Sequence, residues 1–496
     1  MPNEEDWRWI KADLVWSIKP HQPRVLIERI AMTRRNFFRH GISFDPDFNA
    51  ALLEQELNGI GGIGFDDDRR LILRFDRINR HLRTSRGIQE LSPEIVQRDT
   101  WYTFETAGVF YDRSGPAECA YPLINVGYGN GIRQAPVAHD TVAELIEQAG
   151  LYLARQLRDD GSFHYGFFPV GHEAIPTYNI LRHSGTLYSM LEAWEAIGND
   201  TIAVGVPRGI EFVLRETLRP LGEHAVVVDH ANKGEIRLGA QAVFILAVVK
   251  YTELTGDRRY LDAARQIGRA IIDRFLDSQT GQFVHVLDGA DFSVKDTFRI
   301  IFYDGEAVLA LLRLYKLDSD PVWLKSARLA FEYFLRVDHW QHFDHWQAYA
   351  AAEITRHDPD RRYVEFGLKN ALGNLDFIHR RDTAFPTFLE LLVATLEMVE
   401  TTGAVEIDTL NPMSAASLLA TAHHRAEHLR YSHFYPELAM YFRKPRQIVG
   451  SFFIRHHGFR IRIDDVEHFI SGYCMYRRFC SKHDSALLGE RAGHLT

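Results

Sequence analysis

The stretch "DGEAVLALLRLYKLDSDPVWLKSARLAFEYFL", Asp304–Leu335, decides the architecture. Wound as a helix, its first half shows Leu, Val and Ala on nearly every side. The second half, from Pro321, separates an apolar face from a charged one. A helix that is apolar all round is buried all round, whereas one with a single apolar stripe lies between core and water. The pair therefore reads as an inner helix followed by an outer one. One detail resists that reading: the inner helix opens with two carboxylates, Asp304 and Glu306, just after the bulky, strand-like run "RIIFY".

The same alternation recurs on either side. Downstream of residue 141, twelve helical segments are broken by Gly, Asp and Pro stops. "AQAVFILAVV" and "HWQAYAAAEI" are apolar or small all round, while "RRYLDAARQIGRAIIDRFL" is amphipathic. Hairpins near Glu306, His345 and Thr387 repeat at roughly 40 residues, as stacked helix pairs do. "TGDRRYLDAARQIG", "DSDPVWLKSARLA" and "HDPDRRYVEFGLK" mark the starts of outer helices, with Asp as the expected N-cap. Six inner and six outer helices predict an all-α, (α/α)6 toroid spanning residues 137–496.

Residues 1–136 form a smaller N-terminal module, α+β or mainly helical. "WIKADLVWSIKPHQPRVLIERIAMTRRNFFRHG" and "NAALLEQELNGIG" read as helical, whereas "RLILRFDRINRHL", "TWYTFETAGVFY" and "ECAYPLINVGYGNG" mix strand-like runs with turns. "GNGIRQAPVAHD", rich in turn formers, marks the boundary. Gly59-Ile60-Gly61-Gly62-Ile63-Gly64 satisfies G-x-G-x-x-G in form only. It follows a helix-like run where a dinucleotide fold needs a strand, so it reads as a turn.

The 496 residues, 46% apolar and 25% charged, are those of a globular protein with a large core. A net charge of -9 without a like-charged block argues against nucleic acid and anionic membranes as partners. Cys119, Cys474 and Cys480 supply neither a disulfide framework nor a C-x-x-C zinc spacing. The acidic start "MPNEEDWRWIKADLVW" lacks the basic and apolar regions of a signal peptide, and no run was expected to reach the length of a membrane span. A cytoplasmic location follows as the expectation, with no cofactor, no metal and a homodimer left open. The histidine-rich "HWQHFDHW" and "HRAEHLRYSH" match no defined metal spacing.

With its paired helices and its Gly- and aromatic-rich connectors "DGSFHYGFFP" and "TGQFVHVLDG", the later two-thirds of the chain resembles the (α/α)6 barrel of the six-hairpin glycosidase-like superfamily. The resemblance implies a cavity at one end of the barrel, bordered by inner-helix ends and their loops. It leaves the reaction open among glycoside hydrolases, polysaccharide lyases and sugar 2-epimerases. Lanthionine-cyclase-like and prenyltransferase-like toroids hold zinc through Cys and His, and the central inner helices here contain no Cys.

On that frame Glu306 and Asp304 meet a ligand at the start of their helix, unless they serve only the helix dipole. A second candidate cluster opens the last helix: Asp464, Asp465 and His468, with Asp464 and His468 on one face. A third comprises His164, Tyr165, Tyr178, Arg182 and His183, where Arg and His at the start of a buried helix need partners. Asp344, His345 and Trp346 open another inner helix, with Trp346 a candidate face for a sugar ring.

The leading expectation is a carbohydrate-active enzyme that hydrolyses a glycosidic bond, with Asp465 as acid and Glu306 or Asp304 as base. Inversion would need the two carboxyls about 6.5 to 9.5 Å apart. The first alternative is a sugar epimerase or uronate lyase in which His183 and His468 exchange a proton while Arg182 holds an anion. The second is a non-catalytic glycan- or protein-binding partner in polysaccharide biosynthesis.

Overall fold

The structure is a computed structural model and describes residues 8–88, 91, 100–113, 119–135, 137–402 and 412–482. The acidic start at residues 1–7 lies outside them. The chain divides into two compact units. One comprises Met1–Pro136 with Gly166–Ile175 and Arg430–Arg462. The other comprises Val137–Tyr165, Pro176–Leu429 and Ile463–Thr496. Two later segments thus join the first unit, beyond the boundary near 136 read from composition.

The second unit contains twelve long helices in the order read from the periodicity. They are α1 (His139–Gln156), α2 (Ile180–Ile197), α3 (Val206–Thr217), α4 (Leu238–Thr255), α5 (Leu261–Ala270), α6 (Tyr303–Asp318), α7 (Pro321–Arg336), α8 (His345–His357), α9 (Arg361–Leu372), α10 (Thr387–Thr402), α11 (Pro412–Arg430) and α12 (Ile463–Lys482). The even-numbered helices pack side by side in the cycle α2, α4, α6, α8, α10, α12 and back to α2, so the inner ring closes. Odd-numbered helices return along the outside. The Tyr473 hydroxyl, for example, ties α12 to the carbonyl of Ala426 on α11.

Burial follows from composition. Every residue from Leu238 to Val249 of α4 is buried, as are Tyr303–Leu312 of α6. Contrary to the sequence expectation, α4 is long and apolar enough to cross a membrane. Its apolar sides are occupied by neighbouring helices instead, with 78% of it buried inside the protein. Two outer helices start on the anticipated caps, Asp320 accepting from the Val322 amide and Asp360 from that of Arg362. Asp257 caps the turn before α5, accepting from the Arg259 amide. The run "RIIFY" is not a strand: α6 starts at Tyr303, directly after a turn. Short strands do occur at Ile236–Arg237, Val286–Leu287 and Val294–Asp296, forming a three-stranded sheet in the loops.

The first unit departs further from its reading. Trp9–His21, expected as helix, is strand β1. Four strands join it: β2 (Gly41–Ser43), β3 (Ala51–Leu52), β6 (Trp101–Asp112) and β7 (Cys119–Pro122). A separate hairpin is formed by β4 (Ile63–Phe65) and β5 (Leu71–Leu73). β1 runs antiparallel to the whole of β6, with β2 and β7 on the far side of β6 and β3 beyond β2. The reason is a period of two: Ile10, Ala12, Leu14 and Trp16 face solvent while Lys11 and Asp13 pair at 3.2 Å on the opposite face. The sheet-rich module makes the all-α description approximate.

One buried ion pair fastens this unit. Glu437, fully buried, accepts from Arg133 Nε and Nη2, both at 2.8 Å, and from the Arg133 amide at 3.0 Å. Removing the carboxylate would leave a guanidinium buried without a counter-charge. Glu437→Ala should therefore destabilise this unit by about 3 to 5 kcal/mol, read as a lower midpoint in urea denaturation.

Candidate functional site

A helix buried on every side must find partners for its polar residues among its neighbours. The first turns of the inner helices do so as one cluster. Four of the six contribute to it an acid or a histidine at or near their start: Glu306 on α6, the N-cap Asp344 and His345 on α8, Glu390 on α10, and Asp464, Glu467 and His468 on α12.

His468 lies at the centre. Its Nδ1 sits 2.9 Å from Glu390 Oε1, and the other oxygen of Glu390 accepts from the Tyr349 hydroxyl at 2.6 Å. Burial works against a charge on His468, but Glu390, with Asp464 behind it, overcomes it. The imidazole is raised to about 10 and is an imidazolium at neutral pH. In the same way burial would raise Glu390, yet His468 and His345 hold it below its ordinary value. His345 faces His468 with ring centroids 5.2 Å apart, near perpendicular. Its Nδ1 is 3.1 Å from Asp344 Oδ1, a contact that favours the tautomer with the proton on Nδ1. Its buried Nε2 has no hydrogen-bond partner among the described residues.

Two carboxyls nearby are driven neutral. Burial, reinforced by Asp344, pushes Glu306 well above the carboxylate range, and burial raises Glu467 likewise. Oε2 of each is buried without a hydrogen-bond partner. Room for them comes from the neighbouring inner helices. A Cβ at Gly239 would fall 2.2 Å from Glu306 Oε2, and one at Gly185 would fall 2.2 Å from Glu467 Oε1.

Asp304 belongs to a separate knot. His285 accepts the Arg299 amide at Nδ1, so its Nε2 carries the proton and donates to Asp304 at 3.1 Å. His339 lies 3.3 Å away. Burial would raise Asp304, but these imidazoles keep it below its ordinary value. Asp304 is thus fixed as an ionised acceptor and does not cap α6.

The third sequence cluster divides. Arg182 donates to the Tyr165 hydroxyl at 2.6 Å and pairs with Asp464 at 2.9 Å, with Asp465 adding to the field around it. His183 is enclosed, with Nδ1 2.8 Å from the Tyr178 hydroxyl and Nε2 3.0 Å from the Gly209 carbonyl, and burial lowers it to about 4. The same Tyr178 hydroxyl accepts from the Phe163 amide. Neither His183 nor Tyr178 is available to a ligand. His164 is exposed beside Arg158, apart from the cluster. Trp346, 5% exposed, packs on His345 and Tyr349 and has no open ring face.

Glu390, Tyr349 and Glu467 were not singled out from sequence. The signal was present: in "FPTFLELLVATLEMVETTG", Glu390 is an acid in the first turn of an otherwise apolar helix, as Glu306 is in α6. Ligand atoms of His345, Glu390 and His468 lie within 4.8 Å of one another, a spacing that a cation could tighten. Both oxygens of Glu390 are engaged, however, and His468 carries a proton where a metal needs a lone pair. The arrangement suits proton transfer better than metal binding.

Among known proteins, no protein family and no curated sequence matches the chain. Solved structures do. Cellobiose 2-epimerase from Bacillus thermoamylovorans B4167 superposes with a TM-score of 0.53 at 12% identity, over 69% of this chain and 100% of its own. D-mannose isomerase gives 0.52 at 11%, over 69% and 99%. An unsaturated glucuronyl hydrolase specific for heparin gives 0.50 at 11%, over 69% and 98%. The closed ring of six apolar inner helices and these likenesses together give the chain an (α/α)6 toroid fold.

Proposed function

We propose that the protein is a sugar epimerase or isomerase that moves a proton on and off carbon between His345 and His468. The observation that carries this reading is the facing pair of imidazoles at the starts of α8 and α12, one bound to Glu390 and the other with a free Nε2. A proton on the carbon beside a sugar carbonyl is removed by a base and returned by an acid. Here His345 Nε2 takes the proton, neutral Glu306 donates a hydrogen bond to the oxygen on which charge develops, and imidazolium His468 returns a proton to carbon. The sugar keeps its formula, and solvent exchange resets the two histidines. His468, whose side chain is 23% exposed, provides the contact with solvent. The epimerase and isomerase among the solved structures of like fold are consistent with this chemistry.

The geometry gives hydrolysis by Glu306 and Asp465 less support. Glu306 is protonated and could serve as an acid, but Asp465 stands with Arg182, and Glu390 has no oxygen free to activate water. The uronate-lyase variant loses its anion holder, because Arg182 is already paired with Asp464.

The test is incubation with glucose, mannose and cellobiose in deuterium oxide, followed by NMR. Deuterium should enter at C2, and His345→Ala or His468→Ala should slow its entry by about 10²- to 10⁴-fold. Cleavage of an oligosaccharide without deuterium entry would replace this reading with hydrolysis.

The ion pair makes a separate pH prediction. Because Glu390 favours the charged form of His468, the proton on His468 should persist until about pH 10. Glu390→Gln removes that support and should move the alkaline limb of the rate profile toward the ordinary histidine value, a shift readable as initial rate against pH.

A further inference from the structure

Distinct from the inner-helix cluster, the first unit contains a half-open cavity of about 300 Å³ between the end of helix Pro23–Met32, the β6 strand and the loop after β7. Three features make it a built site. Its wall is pinned: half-buried Arg39 donates to the carbonyls of Gly127, Tyr128 and Asn130 while pairing with Glu54 at 2.9 Å. Polar groups line it: exposed Arg29, the Asn125 amide, the Thr33 hydroxyl, and His40 standing 3.7 Å from Glu105. Phe37, half-buried and edge-on to Tyr128, adds an apolar wall.

The charge around the cavity is unbalanced. Glu54 also pairs with Arg455 at 2.8 Å, so one carboxylate serves two guanidiniums. Burial and Arg455 hold Arg39 down to about 9, and burial, followed by Arg29, lowers both His21 and His40. Among the residues lining the cavity are two guanidiniums, Arg29 and Arg39, and one carboxylate, Glu105. A cavity of this size holds a monosaccharide, and the Asn125 amide with the Thr33 hydroxyl, which donates to the Arg29 carbonyl and is left to accept, beside an aromatic ring suits a polyol.

We infer that this cavity is a second binding site, separate from the inner-helix cluster, for a small anionic sugar, either a sugar acid or a sugar phosphate, with Arg29 engaging the anion and Asn125 and Thr33 its hydroxyls. The inference stands whether or not the inner helices act on sugars. Calorimetric titration of the full chain with glucuronate, glucose 6-phosphate, glucose and inorganic phosphate tests it. One or both anionic sugars should bind at least about tenfold more tightly than glucose, and Arg29→Ala should erase that preference. Both results should persist in the His468→Ala variant, which separates this cavity from the inner-helix cluster. The proposal is overturned if neither anionic sugar binds at millimolar concentration, if Arg29→Ala binds unchanged, if His468→Ala alone abolishes binding, or if inorganic phosphate binds as tightly as both sugars.

Discussion

A helix with no side toward water has to satisfy its polar residues from within, and this constraint organises the second unit. Along the later turns of the ring the charges balance: Arg313 lies 3.4 Å from Glu353, and Arg478 pairs with Glu397 at 2.8 Å. Around the first turns they do not. Glu390, Glu467 and Glu306 crowd about the imidazolium of His468, and one cation cannot neutralise three carboxylates. The surplus acids are relieved by holding protons. Protonation states that would be unusual singly therefore arise together from one arithmetic imbalance.

This imbalance supplies the range of groups that proton-transfer chemistry uses. The His345 imidazole, the His468 imidazolium and two carboxyls held well above the usual range gather at the first turns of the ring. Each state has a distinct cause: Asp344 orients His345, Glu390 charges His468, and burial neutralises Glu306 and Glu467. Paired carboxylates suited to hydrolysis would need one acid to stay ionised with a free oxygen. Here Asp304 and Glu390, both held below their ordinary values, are already bound to imidazoles, and Asp464 is paired with a guanidinium.

The twelve helices were legible because the difference between an all-apolar helix and a one-sided one survives in a single sequence, and because Asp caps punctuate it. Glu306 and His468 were legible as polar residues at the mouths of apolar helices. Their partners were harder to find, because Glu390 and His345 meet His468 only through ring closure, which brings together residues 78 or more positions apart. His183 misled for the opposite reason: its partners, a tyrosine hydroxyl and a backbone carbonyl, satisfy it without any ligand. β1 escaped because its apolar residues face outward and its charges inward, the reverse of the alternation by which a half-buried strand is ordinarily recognised.

The distribution of the first unit along the chain bears on the order of events during synthesis. Arg133 emerges from the ribosome 304 residues before Glu437, the carboxylate that neutralises it. Glu54 likewise waits for Arg455, 401 residues later. Five of the six inner helices are translated in that interval. The module of residues 8–135 is thus completed only after five of the inner helices have been made, and a nascent chain carries its uncompensated charges across that interval.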